Sequence, residues 1–103
     1  MEYIELDVWV ESRKLVKIIY DFTKHFPRDE LYGLTSQMRR SSTSVPFNIA
    51  EGCGRRTSAD TIQFSHISRG SLYDLKTHCY LAFDQFLLTK ENFKSKSKYV
   101  KNC

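Results

Sequence analysis

What most constrains this chain is the recurrence of apolar side chains every three or four residues through three long stretches that little interrupts. An α-helix turns once in about 3.6 residues, so positions at that spacing share one face. Val8, Leu15, Ile19, Phe22 and Phe26 form a first stripe, widened by Trp9, Val16 and Tyr20. Leu31, Leu34, Met38, Val45 and Ile49 form a second. Phe64, Ile67, Ser71, Leu75, Ala82 and Phe86 form a third, with Leu72, Cys79 and Phe83 on an adjacent flank. With four glycines and two prolines in 103 residues, breakers are too few for many short strands joined by turns. A chain of this length fits one domain over residues 1–103, and 41% hydrophobic residues are enough to build its core. So small a domain buries only about two-thirds of its unfolded surface, which makes self-association a natural source of further stability.

Local signals divide the stripes into elements. Asp7 is predicted to cap the first helix and Pro27 to stop it. Asp29 is predicted to cap the second, which Gly52 and Gly54 end. Pro46 lies inside that second pattern and removes a backbone donor, so a kink is expected there. The hydroxyls of Ser41, Ser42, Thr43 and Ser44 would assist by bonding back to carbonyls one turn earlier. A loop splitting the helix in two is the alternative. Thr57 or Ser58 is predicted to cap the third and longest helix, whose wide apolar arc calls for burial on two sides, at the middle of a bundle or at a subunit interface. Thr89 is predicted to cap a short, lysine-rich fourth helix anchored by Phe93 and Val100, the least stable element. The expected fold is all-α: an antiparallel up-and-down four-helix bundle with a kinked second helix and a short fourth.

Charge points to partners. Lys90, Lys94, Lys96, Lys98 and Lys101 against Glu91 account for the whole net charge of +4, since the other bases and acids cancel. Such a tail suits a phosphate-rich partner or an acidic membrane surface, and equally a solvated lysine face. Gly52-Cys53-Gly54-Arg55-Arg56-Thr57-Ser58 places two guanidinium groups just before a helix N-terminus, where free N–H groups favour an anion; an ordinary solvated turn is the alternative. The spacing is not that of a P-loop or a dinucleotide fingerprint. Arg39, Arg40 and Arg69 add further guanidinium groups. The candidate nucleic-acid contacts are therefore Arg39, Arg40, Arg55, Arg56, Arg69, Lys94, Lys98 and Lys101. The competing reading pairs the same arginines with carboxylates across subunit interfaces, giving a protein-interaction scaffold with no nucleic-acid role.

No catalytic constellation emerges. His25, His66 and His78 lack ligand spacing, and His78 is expected to pair with Asp74 one turn earlier. Cys53, Cys79 and Cys103 are odd in number and contain no CxxC, so neither a disulfide framework nor a zinc module is expected, and reduced thiols fit a cytoplasmic protein. Glu51 has no partner acid, and no Ser or Cys sits in a nucleophile setting. Neither an apolar leader nor a membrane-length run is visible, so no membrane partner, no cofactor and no enzyme activity are expected.

The run Arg40-Ser41-Ser42-Thr43-Ser44-Val45-Pro46-Phe47-Asn48-Ile49-Ala50-Glu51-Gly52-Cys53-Gly54-Arg55 resembles the signature of the 23S rRNA-intervening-sequence protein family, also called the four helix bundle protein family. Its core is Ser-Val-Pro-x-Asn-Ile-Ala-Glu-Gly. Leu6-Asp7-Val8-Trp9, the segment from Phe26-Pro27 and Glu30 to Arg40, and Arg69-Gly70-Ser71-Leu72-Tyr73-Asp74-Leu75 are similar to the family as well, so the resemblance covers most of residues 6–88. It implies a four-helix bundle assembled as a ring-shaped homopentamer, encoded in some bacteria within large-subunit ribosomal RNA genes. One branch, the accessory variability proteins of diversity-generating retroelements, is similar in fold and implies a reverse transcriptase and nucleic acid as partners of a basic pentamer surface. Two departures stand out: Asp74 replaces the usual Glu, and with the chain ending at Cys103 the fourth helix is expected to be shorter than usual. Within the signature, Ser44 is one of the kink-region hydroxyls and Pro46 the kink itself. Asn48 and Glu51 are expected to make polar contacts at a packed junction, and Gly52 to cap the helix.

Overall fold

The computed structural model describes residues 6–85, which form three α-helices and, among them, no strand. Helix α1 spans Asp7–Thr23, α2 spans Ser36–Cys53 and α3 spans Ser58–Asp84. A 3-10 turn, Arg28–Glu30, and a π-helical turn, Leu31–Thr35, lead from α1 into α2. The all-α class is observed with three helices. The expected fourth, from Thr89 with Phe93 and Val100, lies outside the described residues, as does Phe86.

The helices run antiparallel in sequence order, with α2 in the middle. Arg39 of α2 reaches Thr23 at the end of α1. Along α3, Thr61, Ser68, Ser71 and His78 meet Gly52, Val45, Ser44 and Ser41 in turn, so one chain number rises as the other falls. The core gathers Leu15 and Ile19 from α1, Phe26 from the turn, Met38 from α2, and Leu75, Cys79 and Ala82 from α3. Phe22, Leu34 and Leu72 close its edges. Met38 and Leu75 have no exposed surface, so truncating either to Ala would cost about 2–5 kcal/mol.

Several expected boundaries shift. Leu6, not Asp7, is the N-cap of α1; its carbonyl accepts from Trp9 and Val10, which moves Asp7 into the first turn, where its charge favours the helix dipole. Helix α1 ends at Thr23, four residues before Pro27, and the intervening turn carries Phe26 into the core. Asp29 caps nothing in the structure, because it lies within the 3-10 turn; the Glu30 carboxylate takes that role, accepting from Leu34 N at 3.2 Å. Thr57 caps α3 as predicted, its hydroxyl accepting from Asp60 N at 3.1 Å.

Pro46 does not split α2, which stays helical from Ser36 to Cys53. The backbone leaves helical dihedrals instead at Gly33 (φ −108°, ψ −115°). Proline removes only the hydrogen bond to the Ser42 carbonyl, and packing on two sides, against α1 and α3, holds the helix together.

Candidate nucleic-acid interface

The signature residues are organised by one face of α2. Ser41, Ser44, Val45, Asn48 and Gly52 recur at helical spacing, and each meets or supports α3. Ser68 Oγ donates to the Val45 carbonyl at 2.6 Å in a buried contact. Asn48 Nδ2 donates to the Ser44 carbonyl at 2.8 Å and to Ser44 Oγ at 2.9 Å, and Ser44 Oγ lies 2.8 Å from Ser71 Oγ. Thr61 Oγ1 donates to the Gly52 carbonyl at 2.9 Å. Small hydroxyl residues thus let two backbones approach while satisfying the polar groups they bury.

Gly52 is not the cap. It is buried inside α2, where a Cβ would lie 3.1 Å from Phe64 Cβ and 3.3 Å from the Thr61 carbonyl oxygen. Gly54 terminates the helix, with φ −90° and ψ 2°. Glu51 does not join the packed junction either. It points outward and pairs with Arg55, 2.8 Å away and one turn on. His78 turns toward α2, its Nδ1 lying 3.3 Å from Ser41 Oγ, while Asp74 is exposed. The expected His78–Asp74 pair gives way because that side of α3 is the buried one, shared with Leu75 and Cys79.

The candidate arginines occupy three places rather than one patch. Arg39 lies between α1 and α2, its Nε donating to Thr23 Oγ1 at 2.8 Å and its guanidinium lying 4.6 Å from the Tyr20 ring centroid. Arg40, beside it, is exposed. Arg55 and Arg56 occupy the α2–α3 turn, roughly 20 Å farther along α2 by helical rise. Arg55 packs 4.5 Å from the Phe64 centroid besides pairing with Glu51, and Arg56 is exposed. Arg69 sits on the outer side of α3, over Tyr73 at 5.7 Å. Lys94, Lys98 and Lys101 lie outside the described residues.

Two cations were missed in the sequence. Arg13 and Lys17 line a groove between α1 and α2 with Tyr20, Thr43 and Pro46. Their signal was present: Arg13, Lys17, Tyr20 and Lys24 recur every three or four residues on one flank of α1, but Tyr20 reads there as part of the core stripe. Tyr20 is in fact 39% exposed. Val8, Leu31 and Ile67, also assigned to buried stripes, are likewise exposed.

Among the described residues no three His, Cys, Asp or Glu side chains come together as metal ligands, and no helix is long and apolar enough to cross a membrane. Burial pushes the Cys79 thiol up to about 11.

The family model described as 23S rRNA-intervening sequence protein matches residues 4–103. The chain belongs to that family. No curated protein matches it. In this member of the 23S rRNA-intervening sequence protein family, Ser44, Val45, Asn48 and Gly52 of the signature join α2 to α3. Their contacts are structural, which accounts for the spacing of small residues along the motif.

Proposed function

We propose that this protein is a non-enzymatic, cytoplasmic four-helix bundle that assembles from copies of itself, as a ring of five, and binds RNA or DNA through its basic clusters as an accessory factor. The observation that carries the nucleic-acid reading is that, in two clusters among the described residues, an arginine held by its neighbours stands beside one with no such contact. Arg40 stands beside Arg39, and Arg56 beside Arg55. The anchored member is pre-oriented and the exposed one is available, which favours phosphate contacts that position a strand without reading its sequence.

Self-association is supported by the outer side of α3, which exposes Ile62, Ile67, Tyr73, Tyr80 and Leu81. Gly70 lies on the same helix, and a Cβ there would meet nothing within 4 Å, so a neighbouring backbone has room to approach. A ring repeats each basic cluster, and the repeated weak contacts strengthen one another.

A second reading, a protein scaffold without nucleic acid, is favoured by the intramolecular use of Arg39 and Arg55, which shows that guanidinium groups in this fold also serve packing. Arg56→Glu separates the two. Loss of retention on an RNA or DNA column with the oligomer intact supports nucleic-acid binding, whereas loss of the oligomer in sizing experiments supports the scaffold. Binding unchanged between low and high salt contradicts the electrostatic mechanism.

A further inference from the structure

We infer that the α1–α2 groove is the binding site for single-stranded nucleic acid, with phosphates held by Arg13, Lys17, Arg39 and Arg40 and a base stacked at Tyr20. This rests on the nucleic-acid reading above and gives it a location. Two open grooves of about 420 and 320 Å³ share Tyr20 and Thr43, and so form one strip along the α1–α2 junction. Four cationic side chains line the strip and no carboxylate does. The acidic residues of α1 that lie nearest in sequence, Glu11 and Asp21, pair instead with Lys14 and Lys24.

The aromatic group distinguishes a single strand from a duplex. Tyr20 is partly exposed, and Arg39 lies over its ring. A ring backed by a guanidinium offers a stacking platform for an unpaired base, which a duplex keeps inside its own stack. On α2 the strip runs from Thr35 to Pro46, about 16 Å at helical rise, room for on the order of four nucleotides. Arg39 is already fixed by its bond to Thr23 Oγ1, so less side-chain freedom is lost when a strand binds.

The test is fluorescence anisotropy of a labelled polyuridine or polythymidine oligonucleotide, and of a labelled duplex of equal length, with the full chain at several salt concentrations. Lys17→Gln combined with Arg40→Gln should weaken single-strand binding at least tenfold and reduce the salt slope by about 1.4, since each phosphate contact contributes about 0.7. Tyr20→Leu should weaken it roughly tenfold, the loss expected for one stacked base. Lys76→Gln, on α3 and outside the groove, should leave the binding in place. Circular dichroism and sizing of every variant confirm that fold and assembly are retained. If the unaltered protein binds no oligonucleotide, the nucleic-acid reading itself fails and the groove assignment with it. If it binds but the groove variants match it while Arg56→Gln or substitutions at Lys94, Lys98 and Lys101 abolish binding, the groove assignment is overturned and the nucleic-acid reading survives. Tighter binding to the duplex than to the single strand overturns the single-strand assignment.

Discussion

Gly52→Ala adds one methyl group where α2 and α3 come closest. The new carbon would sit 3.1 Å from Phe64 Cβ and 3.3 Å from the Thr61 carbonyl oxygen, and both atoms belong to or adjoin the backbone of α3. Neither can swing aside as the end of a flexible side chain could, so the helices must separate by a few tenths of an ångström. Overpacking of this kind costs about 1–3 kcal/mol. Against it stands the gain of roughly 0.5–1 kcal/mol from replacing a helical glycine with alanine. At mid-range the cost wins by about 1 kcal/mol, and at ~4–8 °C per kcal/mol for a domain of this size the midpoint should fall by about 4–8 °C. Gly54→Ala is the control. Its Cβ would lie 3.7 Å from the Glu51 carbonyl oxygen, an ordinary contact, and its φ of −90° is open to alanine. That change should stay within about 0.5 kcal/mol. Thermal and urea unfolding followed by circular dichroism, at one protein concentration, measures both. A Gly52→Ala protein as stable as Gly54→Ala would refute the claim that the signature glycine serves close helix approach.

Other expectations follow from the same geometry. Ser68→Ala removes the buried 2.6 Å bond to the Val45 carbonyl and should cost about 1 kcal/mol in urea unfolding; an unchanged midpoint would mean the contact carries no net stability. Burial raises the Cys79 thiol from 9.0 to about 11, so the folded state favours the neutral form. The stability this contributes is fully present below pH 9.0 and is lost as pH rises to about 11, a loss of about 2–3 kcal/mol. Cys79→Ala should flatten the decline across that window, and parallel profiles would contradict it. Gly70→Arg should leave the helical spectrum intact and break the oligomer in sizing experiments, because the side chain enters open space on the outer side of α3. An oligomer of unchanged size would show that this side is not an interface.

The periodicity of Leu15, Ile19, Met38, Leu75, Cys79 and Ala82 was enough to place three helices and most of the core, because burial on one side of a helix leaves a direct trace in the order of residues. The Thr57 cap was equally legible, since its hydroxyl acts within one turn. What the order of residues did not reveal depends on neighbours distant in sequence. Gly52 reads as a helix terminator until Thr61 and Phe64 are placed beside it. His78 reads as a partner of Asp74 until Ser41 is found across the helix junction. Glu51 reads as part of the packed junction until helix geometry carried on to the turn at Gly54 sets it one turn before Arg55 on the outer side. The groove cations Arg13 and Lys17 were obscured for a related reason. Tyr20 counts as core by spacing alone, and only the position of Arg39 over its ring shows that this flank of α1 faces outward.

Light scattering after size exclusion, with and without single-stranded RNA and DNA at low salt, tests the central proposal most directly. The account predicts a particle of about five times the 12.1 kDa chain mass that co-elutes with single-stranded nucleic acid and releases it as salt is raised. A monomer, or a clean oligomer that ignores nucleic acid at every salt concentration, would contradict it.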